Sequence, residues 1–251
     1  MRVDSTQRFS SRVENYVRYR PSYPKEVIET LVGECGLTRD SVIADIASGT
    51  GIFTKLLLEH GNPVFGVEPN PDMRRAGEEF LKGYSKFRSV DGTAEATTLA
   101  NTSVDFVTAA QAGHWFEIPK ARREFARVLK PGGWLVLLWN ERQIDSTPFL
   151  RDYEQLLLKY GTDYEAVRHE HTVVSNFFDP HPFQERTFEL RQQFDFEGVE
   201  GRLLSSSYAP GPDHPNCVPM LSELRRIFDL HQKSGEVSFE YITRLYYGRL
   251  A

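Results

Sequence analysis

The stretch 42-VIADIASGTGIFTKLLLEHG-61 decides the fold, because it passes from a strand pattern to a helix pattern through a turn with two glycines. The residues before the turn are apolar except for Asp45, which is typical of a strand buried on both faces of a sheet. Gly49 and Gly51 allow a sharp turn and let a ligand approach the backbone without meeting a Cβ atom. The stretch therefore predicts a strand–turn–helix unit with a ligand site at the carboxyl end of the strand.

Strand and helix patterns alternate about five times as far as residue 140. Beyond the first strand, short strand-like runs lie at 63–69, 86–92, 104–110 and 134–139, with apolar residues at helical spacing between them. This alternation predicts a parallel sheet covered by helices on both faces.

The pattern changes after residue 140. Residues 187–196 and 237–249 alternate between apolar and polar side chains, which predicts two more strands as an antiparallel addition to one edge of the sheet. We therefore expect an α/β fold: a Rossmann-like three-layer sandwich with a mostly parallel seven-stranded sheet, an antiparallel edge and a small helical cap. The chain is interpreted as one domain, 1–251, made of an amino-terminal helical flap (1–34), a cofactor-binding core (35–140), a helical cap (141–185) and the terminal strands and helix (186–251).

Composition narrows the classes of ligand and partner. The 251 residues are 40% hydrophobic and 26% charged, as in ordinary globular proteins, and no run is long enough to span a membrane. The amino terminus lacks the apolar core of a signal peptide, and Cys35 and Cys217 suit free thiols in a reducing compartment. A net charge of −5 argues against nucleic-acid binding. We expect a cytoplasmic protein with a small-molecule ligand and neither nucleic acid nor a membrane as partner; the oligomeric state is not predicted.

Two cofactor types bind at such a turn, namely dinucleotides and S-adenosylmethionine. The dinucleotide fingerprint requires a third glycine where this chain has Thr54, and Asp45 would repel a pyrophosphate. The ammonium and sulfonium of S-adenosylmethionine would instead favour an acid near the turn. Glu68, at the end of the second strand, can accept hydrogen bonds from ribose hydroxyls of either cofactor, so it locates the site without choosing between them.

Several motifs together resemble one enzyme family. The runs VIADIASGTGIFTKLL, VFGVEPNPDM, DGTAEATTL, VDFVTAAQAGHWF and EFARVLKPGGWLVLLW follow the order and spacing of class I S-adenosylmethionine-dependent methyltransferases. They look most like the small-molecule group that includes the ubiquinone-biosynthesis C-methyltransferases and trans-aconitate methyltransferase, and the leader YVRYRPSYP is similar to that of the second branch. The similarity is good over residues 15–140 and covers the remainder only in outline.

The resemblance implies a role for each motif residue in binding S-adenosylmethionine. The methionine part would be held by the turn residues Asp45, Ala47, Ser48, Gly49 and Gly51, with Gln111 at the end of the fourth strand. Glu68 would bind the ribose, and the adenine would lie among Pro69, Asn70, Thr93, Ala94 and Glu95.

Two positions depart from the family pattern. The usual first glycine is Ala47, which is tolerable if its backbone torsions are ordinary. The usual acid beside the adenine is Thr93, whose hydroxyl can still accept a hydrogen bond.

Candidates for the acceptor side come from the leader and from the strand ends. Tyr19 and Arg20 belong to a flap that would meet the methionine carboxylate, or alternatively to a packed helix. Tyr16 in the same leader, His114 after the fourth strand and Glu141 after the fifth are the candidate catalytic residues. His114 could act as a base or pack the adenine loop, and Glu141 could orient an acceptor or lie in solvent.

The leading hypothesis is methyl transfer from S-adenosylmethionine to oxygen, nitrogen or carbon of a small molecule. The alternatives are a nicotinamide-dependent oxidoreductase and a non-catalytic module that binds S-adenosylmethionine. No metal is predicted, because His169 and His171 lack an obvious third ligand.

Overall fold

The computed structural model describes residues 13–165 and 174–250. Its strands are β1 (Ile43–Ile46), β2 (Val64–Val67), β3 (Phe87–Val90), β4 (Val104–Ala110), β5 (Leu129–Arg142), β6 (Phe183–Phe194) and β7 (Val237–Gly248). Its helices are α1 (Val13–Tyr19), α2 (Glu26–Cys35), α3 (Ile52–His60), α4 (Pro71–Phe80), α5 (Ile118–Val128), α6 (Pro148–Tyr160), α7 (Ser175–Phe178), α8 (Phe196–Leu204) and α9 (Cys217–His231), with a 3₁₀ turn at Gly113–Trp115.

The described strands form one seven-stranded sheet in the order β3-β2-β1-β4-β5-β7-β6. β1 to β5 pair in parallel, and β7 runs antiparallel to both β5 and β6. The predicted α/β fold with a mostly parallel seven-stranded sheet is therefore confirmed. The reversed strand is β7, so the edge strand β6 has the same direction as the first five.

Alternation along β5 shows how the sheet separates two layers. Val136 and Leu138 pack with α2 and α3 on one face, whereas Leu135 and Leu137 pack with α5 on the other. All four side chains are fully buried. This is the pattern of a central strand covered on both sides, and it explains why the run reads as continuously apolar.

The strand β5 starts earlier than the sequence suggests. Leu129 already pairs with Val104 and Trp134 with Phe106, so residues 130–133 bulge between two paired positions. Gly132 and Gly133 lie in this bulge, and Gly132 has a φ of 74°.

A third apolar cluster lies under α6, α8 and α9 and continues onto β7. Tyr153 of α6, Leu203 of α8, Leu224 of α9 and Phe239 of β7 all belong to it. In contrast, the short α7 packs in the same cluster as α5. The segments assigned to the cap thus pack in different places, and the division of the chain at 141 and 185 stays a prediction.

The first helix lies directly on α8. A Cβ atom added to Gly201 would be 2.0 Å from Cε2 of the Tyr19 ring, so only glycine permits this approach. α1 therefore continues the layer formed by α6, α8 and α9. None of the helices in the described ranges has the length and apolar character needed to cross a lipid bilayer.

Candidate functional site

The turn between β1 and α3 is built from residues with left-handed backbone torsions. Ala47, Gly49 and Gly51 have φ values of 53°, 58° and 85°, and the Gly51 N–H donates to the Ser48 carbonyl at 2.9 Å. A Cβ atom on Gly51 would lie 2.6 Å from Cδ1 of Leu81. Both torsion and space therefore require glycine at position 51.

The torsion of Ala47 differs from the expectation. Tolerance of alanine there depended on ordinary torsions, and its φ of 53° is instead in the left-handed region. For a residue with a Cβ atom this region costs about 1 kcal/mol or more. The turn keeps the geometry of a glycine position although the sequence carries alanine.

This strain leads to a prediction for Ala47→Gly. We expect the free energy of unfolding to rise by about 0.5–1 kcal/mol, because glycine removes the left-handed penalty but adds entropy to the unfolded chain. Urea unfolding measures the change, and the matched control Ala76→Gly within helix α4 should shift stability downwards by about 1 kcal/mol. A loss of stability in both variants would show that the torsion at Ala47 carries no strain.

Glu68 ties the second strand to the glycine turn. Its Oε2 accepts a hydrogen bond from the Gly49 N–H at 2.9 Å, and its Oε1 accepts one from the Asn70 N–H at 2.8 Å. The side chain is buried, and burial raises the pKa of the carboxyl group while the two N–H donors oppose the rise. Each carboxylate oxygen retains a further lone pair for a ligand hydroxyl.

Asp45 lies on the other side of the turn and is 1% exposed. It is in register with Thr108 on β4, whose hydroxyl donates to Oδ1 at 2.8 Å. The Thr54 hydroxyl on α3 donates to Oδ2 at 2.6 Å. Burial raises the pKa of Asp45 to about 6, although both hydroxyl donors lower it. Thr54 stands where a dinucleotide fingerprint has its third glycine, and its hydroxyl here holds the buried carboxyl group of Asp45.

Two cavities, of about 190 Å³ and 590 Å³, adjoin at the turn. The residues that line both are Tyr16, Ala47, Gly49, Ala110 and Gln111. The smaller cavity is bounded by Glu68 and the larger by Asp45, so one buried acid faces each compartment.

The smaller cavity brings together the residues assigned to the ribose and adenine. In addition to Glu68, these are Pro69, Asn70, Thr93, Ala94 and Glu95, and the rings of Trp115 and Phe116 complete the wall.

Two of these side chains already have partners in the protein. Asn70 caps α4 by accepting from the Asp72 and Met73 N–H groups. Thr93 Oγ1 accepts from the Glu95 and Ala96 N–H groups at 3.2 and 3.1 Å. The Thr93 hydroxyl oxygen was expected to accept a hydrogen bond from the adenine, but it already accepts two from backbone N–H groups of its own turn. The hydroxyl can still donate its proton to a ligand.

Besides Ala47 and Gly49, the larger cavity is lined by seven predicted cofactor and catalytic residues, which are Asp45, Ser48, Tyr16, Arg20, Gln111, His114 and Glu141. Gln111 has a φ of 60° and donates from Nε2 to the Asn140 carbonyl at 3.2 Å. The His114 ring lies 4.5 Å from the Trp115 ring. Glu141 accepts from Arg244 at 2.7 Å, so it is an ion-paired carboxylate at the cavity wall.

Gly51 and Tyr19 are predicted cofactor residues that line neither cavity. The Tyr19 side chain is buried against α8, and its hydroxyl donates to Glu197 Oε1 at 3.1 Å. The helical spacing of α1 turns Tyr16 and Arg20 to the cavity and leaves Tyr19 on the opposite, packed side. The leader is thus a packed helix whose Tyr16 also lines a cavity, and contact with the methionine carboxylate stays a prediction.

His169 and His171 lie outside the described residues. Among the residues that the structure describes, no group of three histidine, cysteine or acidic side chains is placed to hold a metal ion.

Several residues of the larger cavity were not anticipated from the sequence. They are Arg142, Tyr164, Arg202, Tyr208, Tyr241 and Tyr246. Only Tyr241 carried a local signal, as a member of the buried face of the alternating strand β7. The others are far apart along the chain, and no spacing rule connects them.

Comparison with known proteins supplies the family context of this geometry. The profile of a family described as a methyltransferase domain matches residues 44–137. An uncharacterized methyltransferase of Mycobacterium tuberculosis is 36% identical over 248 residues, covering 96% of this chain and 95% of that protein. An uncharacterized methyltransferase-like protein of Schizosaccharomyces pombe is 35% identical over 159 residues, covering 62% of this chain and 59% of that protein.

The solved structures support the same fold. A protein from Anaeromyxobacter dehalogenans, provisionally described as a type II methyltransferase, superposes with a TM-score of 0.69 at 21% identity and covers 92% of this chain and 98% of its own. The YcgJ protein of Bacillus subtilis superposes with a TM-score of 0.54 at 20% identity, covering 90% of this chain and 98% of its own.

Proposed function

The chain belongs to the class I S-adenosylmethionine-dependent methyltransferases, and from this premise we propose that the acceptor of the methyl group is a small molecule bound in the larger cavity. The cofactor site rests on the pair of buried acids, Asp45 and Glu68, on the two sides of one glycine turn. The observation that carries the proposal for the acceptor is the cavity of about 590 Å³ that adjoins this site. Each acid faces one of two adjoining cavities. This arrangement suits a ligand that has a nucleoside at one end, near Glu68, and a positively charged tail at the other, near Asp45.

The residues present fit the cofactor. Glu68 would accept hydrogen bonds from the ribose hydroxyls through the lone pairs that the Gly49 and Asn70 N–H groups leave open. Asp45 would face the ammonium of the methionine part, since a buried carboxylate gains most from an opposite charge. Arg20, on the wall of the same cavity, would meet the methionine carboxylate. When bound, S-adenosylmethionine supplies a methyl group on a positively charged sulfur.

The protein's own contribution to transfer is to align the acceptor and exclude water. Tyr16 and Gln111 line both cavities and so lie at their junction. We assign Tyr16, on the covering helix α1, to the wall around the reacting atoms. His114 is the candidate base for an acceptor that must lose a proton, whereas Glu141, paired with Arg244, is better suited to orient an acceptor.

We also propose a cytoplasmic location. A net charge of −5 supports an acceptor that is neither a nucleic acid nor a membrane lipid. Cys35 and Cys217 are buried free thiols, which is consistent with a reducing compartment.

Calorimetry on the wild-type chain tests the proposed site. We expect S-adenosylhomocysteine to bind with a dissociation constant in the micromolar range or below, and NAD at the same concentration to give no heat, because Asp45 opposes a pyrophosphate at this turn. Binding of NAD without binding of S-adenosylhomocysteine would contradict the assignment. Turnover is then followed as release of S-adenosylhomocysteine with a panel of small acceptors.

A further inference from the structure

The larger cavity contains a second group of charged residues beyond the glycine turn. Arg20, Arg142 and Arg202 line it together with the rings of Tyr164, Tyr208 and Tyr241. We call these six residues the arginine–tyrosine cluster. They come from the residue after α1, the end of β5, α8, β7 and the loops near residues 164 and 208, so the fold alone brings them together.

Arg202 and Arg20 are held by neutral groups. Arg202, which is 5% exposed, donates from Nε to the Tyr241 hydroxyl at 3.1 Å and from Nη1 to Ser206 Oγ at 3.1 Å. Arg20 donates from Nη2 to the Ser205 carbonyl at 3.0 Å. Neither of the two has a carboxylate within ion-pair distance among residues 15–165 and 174–250. A buried cation held only by neutral groups is costly.

Arg142 has one carboxylate partner and one open donor. Its Nη2 contacts Glu154 and donates to the Tyr164 hydroxyl at 2.9 Å. Its Nη1 is buried, and no described residue accepts a hydrogen bond from it; the same is true of Arg20 Nε. Buried guanidinium donors without acceptors are uncommon in folded proteins, because each loses its hydrogen bonds to water.

Arg202 is close enough to act on Arg20, and all three guanidinium groups act on Tyr208. Burial and then the positive charge of Arg202 lower the pKa of Arg20. Burial alone would raise the pKa of Tyr208, but Arg202, Arg142 and Arg20 together bring it below its ordinary value. The cluster is therefore a region of positive potential around one phenol.

The acids of the same cavity do not neutralise this region. Glu141 is paired with Arg244 at 2.7 Å, Asp145 is exposed, and Asp45 is held by two hydroxyl groups at the glycine turn. Glu154 balances only Arg142. Two of the three arginines thus retain an uncompensated charge in the described structure.

We propose that the arginine–tyrosine cluster binds a carboxylate of the methyl acceptor, with Arg142 and Arg202 as its anchors. The inference rests on the proposed function and narrows its substrate class to small carboxylic acids. A carboxylate would accept a charge-assisted hydrogen bond from the open Nη1 of Arg142 and balance the buried charge of Arg202. Arg20, which is close to both Arg202 and Tyr16, remains with the methionine carboxylate.

The test compares carboxylates with their neutral amides on the intact protein. Succinate, glutarate, citrate and benzoate, and the corresponding amides, are titrated by calorimetry at saturating S-adenosylhomocysteine. We expect at least one carboxylate to bind and its amide not to bind. Arg202→Met should weaken that carboxylate at least tenfold and leave the affinity for S-adenosylhomocysteine within twofold. The control Arg226→Met, at an exposed ion pair on α9, should change neither.

A stability measurement separates an anion site from a structural role. Because Arg202 carries an uncompensated buried charge, Arg202→Met should keep or raise the unfolding temperature of the ligand-free protein. A lower unfolding temperature would indicate that its contacts with Tyr241 and Ser206 serve the fold.

Three outcomes would overturn the inference. In the first, no carboxylate gives more heat than sodium chloride at the same ionic strength. In the second, Arg202→Met binds the carboxylate as tightly as the wild type does. In the third, Arg202→Met loses affinity for S-adenosylhomocysteine as much as for the carboxylate, which would place the arginines at the cofactor. Failure of the wild type to bind S-adenosylhomocysteine would instead refute the proposed function, and carboxylate binding is still measurable in its absence.

Discussion

Replacing Glu68 with alanine should lower the affinity for S-adenosylhomocysteine by about 100-fold. In the proposed site its carboxylate accepts hydrogen bonds from the ribose hydroxyls, and charge-assisted bonds contribute about 1.5–3 kcal/mol each. The loss of two such bonds, about 3 kcal/mol or more, corresponds to a factor of 100 or above in the dissociation constant. Calorimetry on the purified variant measures this directly.

The same substitution should also weaken the turn itself. The N–H groups of Gly49 and Asn70 lose their acceptor when Glu68 is removed. An unpaired buried donor costs about 1–3 kcal/mol, so the unfolding midpoint in urea should fall as well.

Two further variants separate ribose binding from loss of structure. Glu68→Gln keeps one acceptor oxygen and should lose about tenfold in affinity. Glu79→Gln removes an exposed carboxylate of α4, whose side chain is 73% exposed, and should bind like the wild type. If Glu68→Ala folds and binds S-adenosylhomocysteine with wild-type affinity, the ribose does not bind at Glu68.

The fold was predictable because its signals are local. The strand at Ile43–Ile46, the glycine turn and the helix at Ile52–His60 are contiguous in sequence, and each has the periodicity of its own element. Asp45 and Glu68 could be assigned because each lies at the carboxyl end of a strand. The two strands, β1 and β2, pair in parallel, so both acids come to the same edge of the sheet.

The acceptor side was not predictable for the opposite reason. Arg142 and Arg202 are 60 residues apart in sequence, and only the tertiary fold brings the end of β5 and helix α8 to the same cavity. Helix α8 carried little signal of its own, since Gly198 and Gly201 lower helix propensity. Gly201 is explained by the Tyr19 ring that lies against it, which is a tertiary contact.

The torsion of Ala47 shows a similar limit. Its position in the motif is visible in the sequence, but its φ of 53° depends on how the turn closes between β1 and α3. The sequence identifies which residue replaces the usual glycine, and only the structure shows that the backbone has kept the glycine conformation.

Asp45 should make both stability and cofactor binding depend on pH, in opposite directions. Its pKa in the folded protein is about 6, because it is buried, whereas an unfolded aspartate has a pKa near 4. Between these values the folded protein holds a proton that the unfolded chain has lost. The contribution of Asp45 to stability therefore falls as the pH rises from about 4 to 6, by about 3 kcal/mol in total.

Cofactor binding has the reverse dependence, because the ammonium of the methionine part favours the ionised carboxylate. Affinity for S-adenosylhomocysteine should decline by up to tenfold for each pH unit below about 6. Glu68 contributes a decline of its own, since burial raises its pKa too. The part due to Asp45 is the difference between wild type and Asp45→Asn, which has no carboxyl group to titrate at this position.

Asp45→Asn should consequently be a more stable protein that binds its cofactor poorly. At pH 7.5 the substitution removes a buried charge while the amide can still pair with the hydroxyls of Thr54 and Thr108. We expect unfolding free energy to rise by about 1–3 kcal/mol and affinity for S-adenosylhomocysteine to fall by about 10- to 100-fold. Asp229→Asn, at an exposed position on α9, is the control and should alter neither quantity. Loss of stability together with undiminished binding would mean that Asp45 serves the fold and does not face the cofactor.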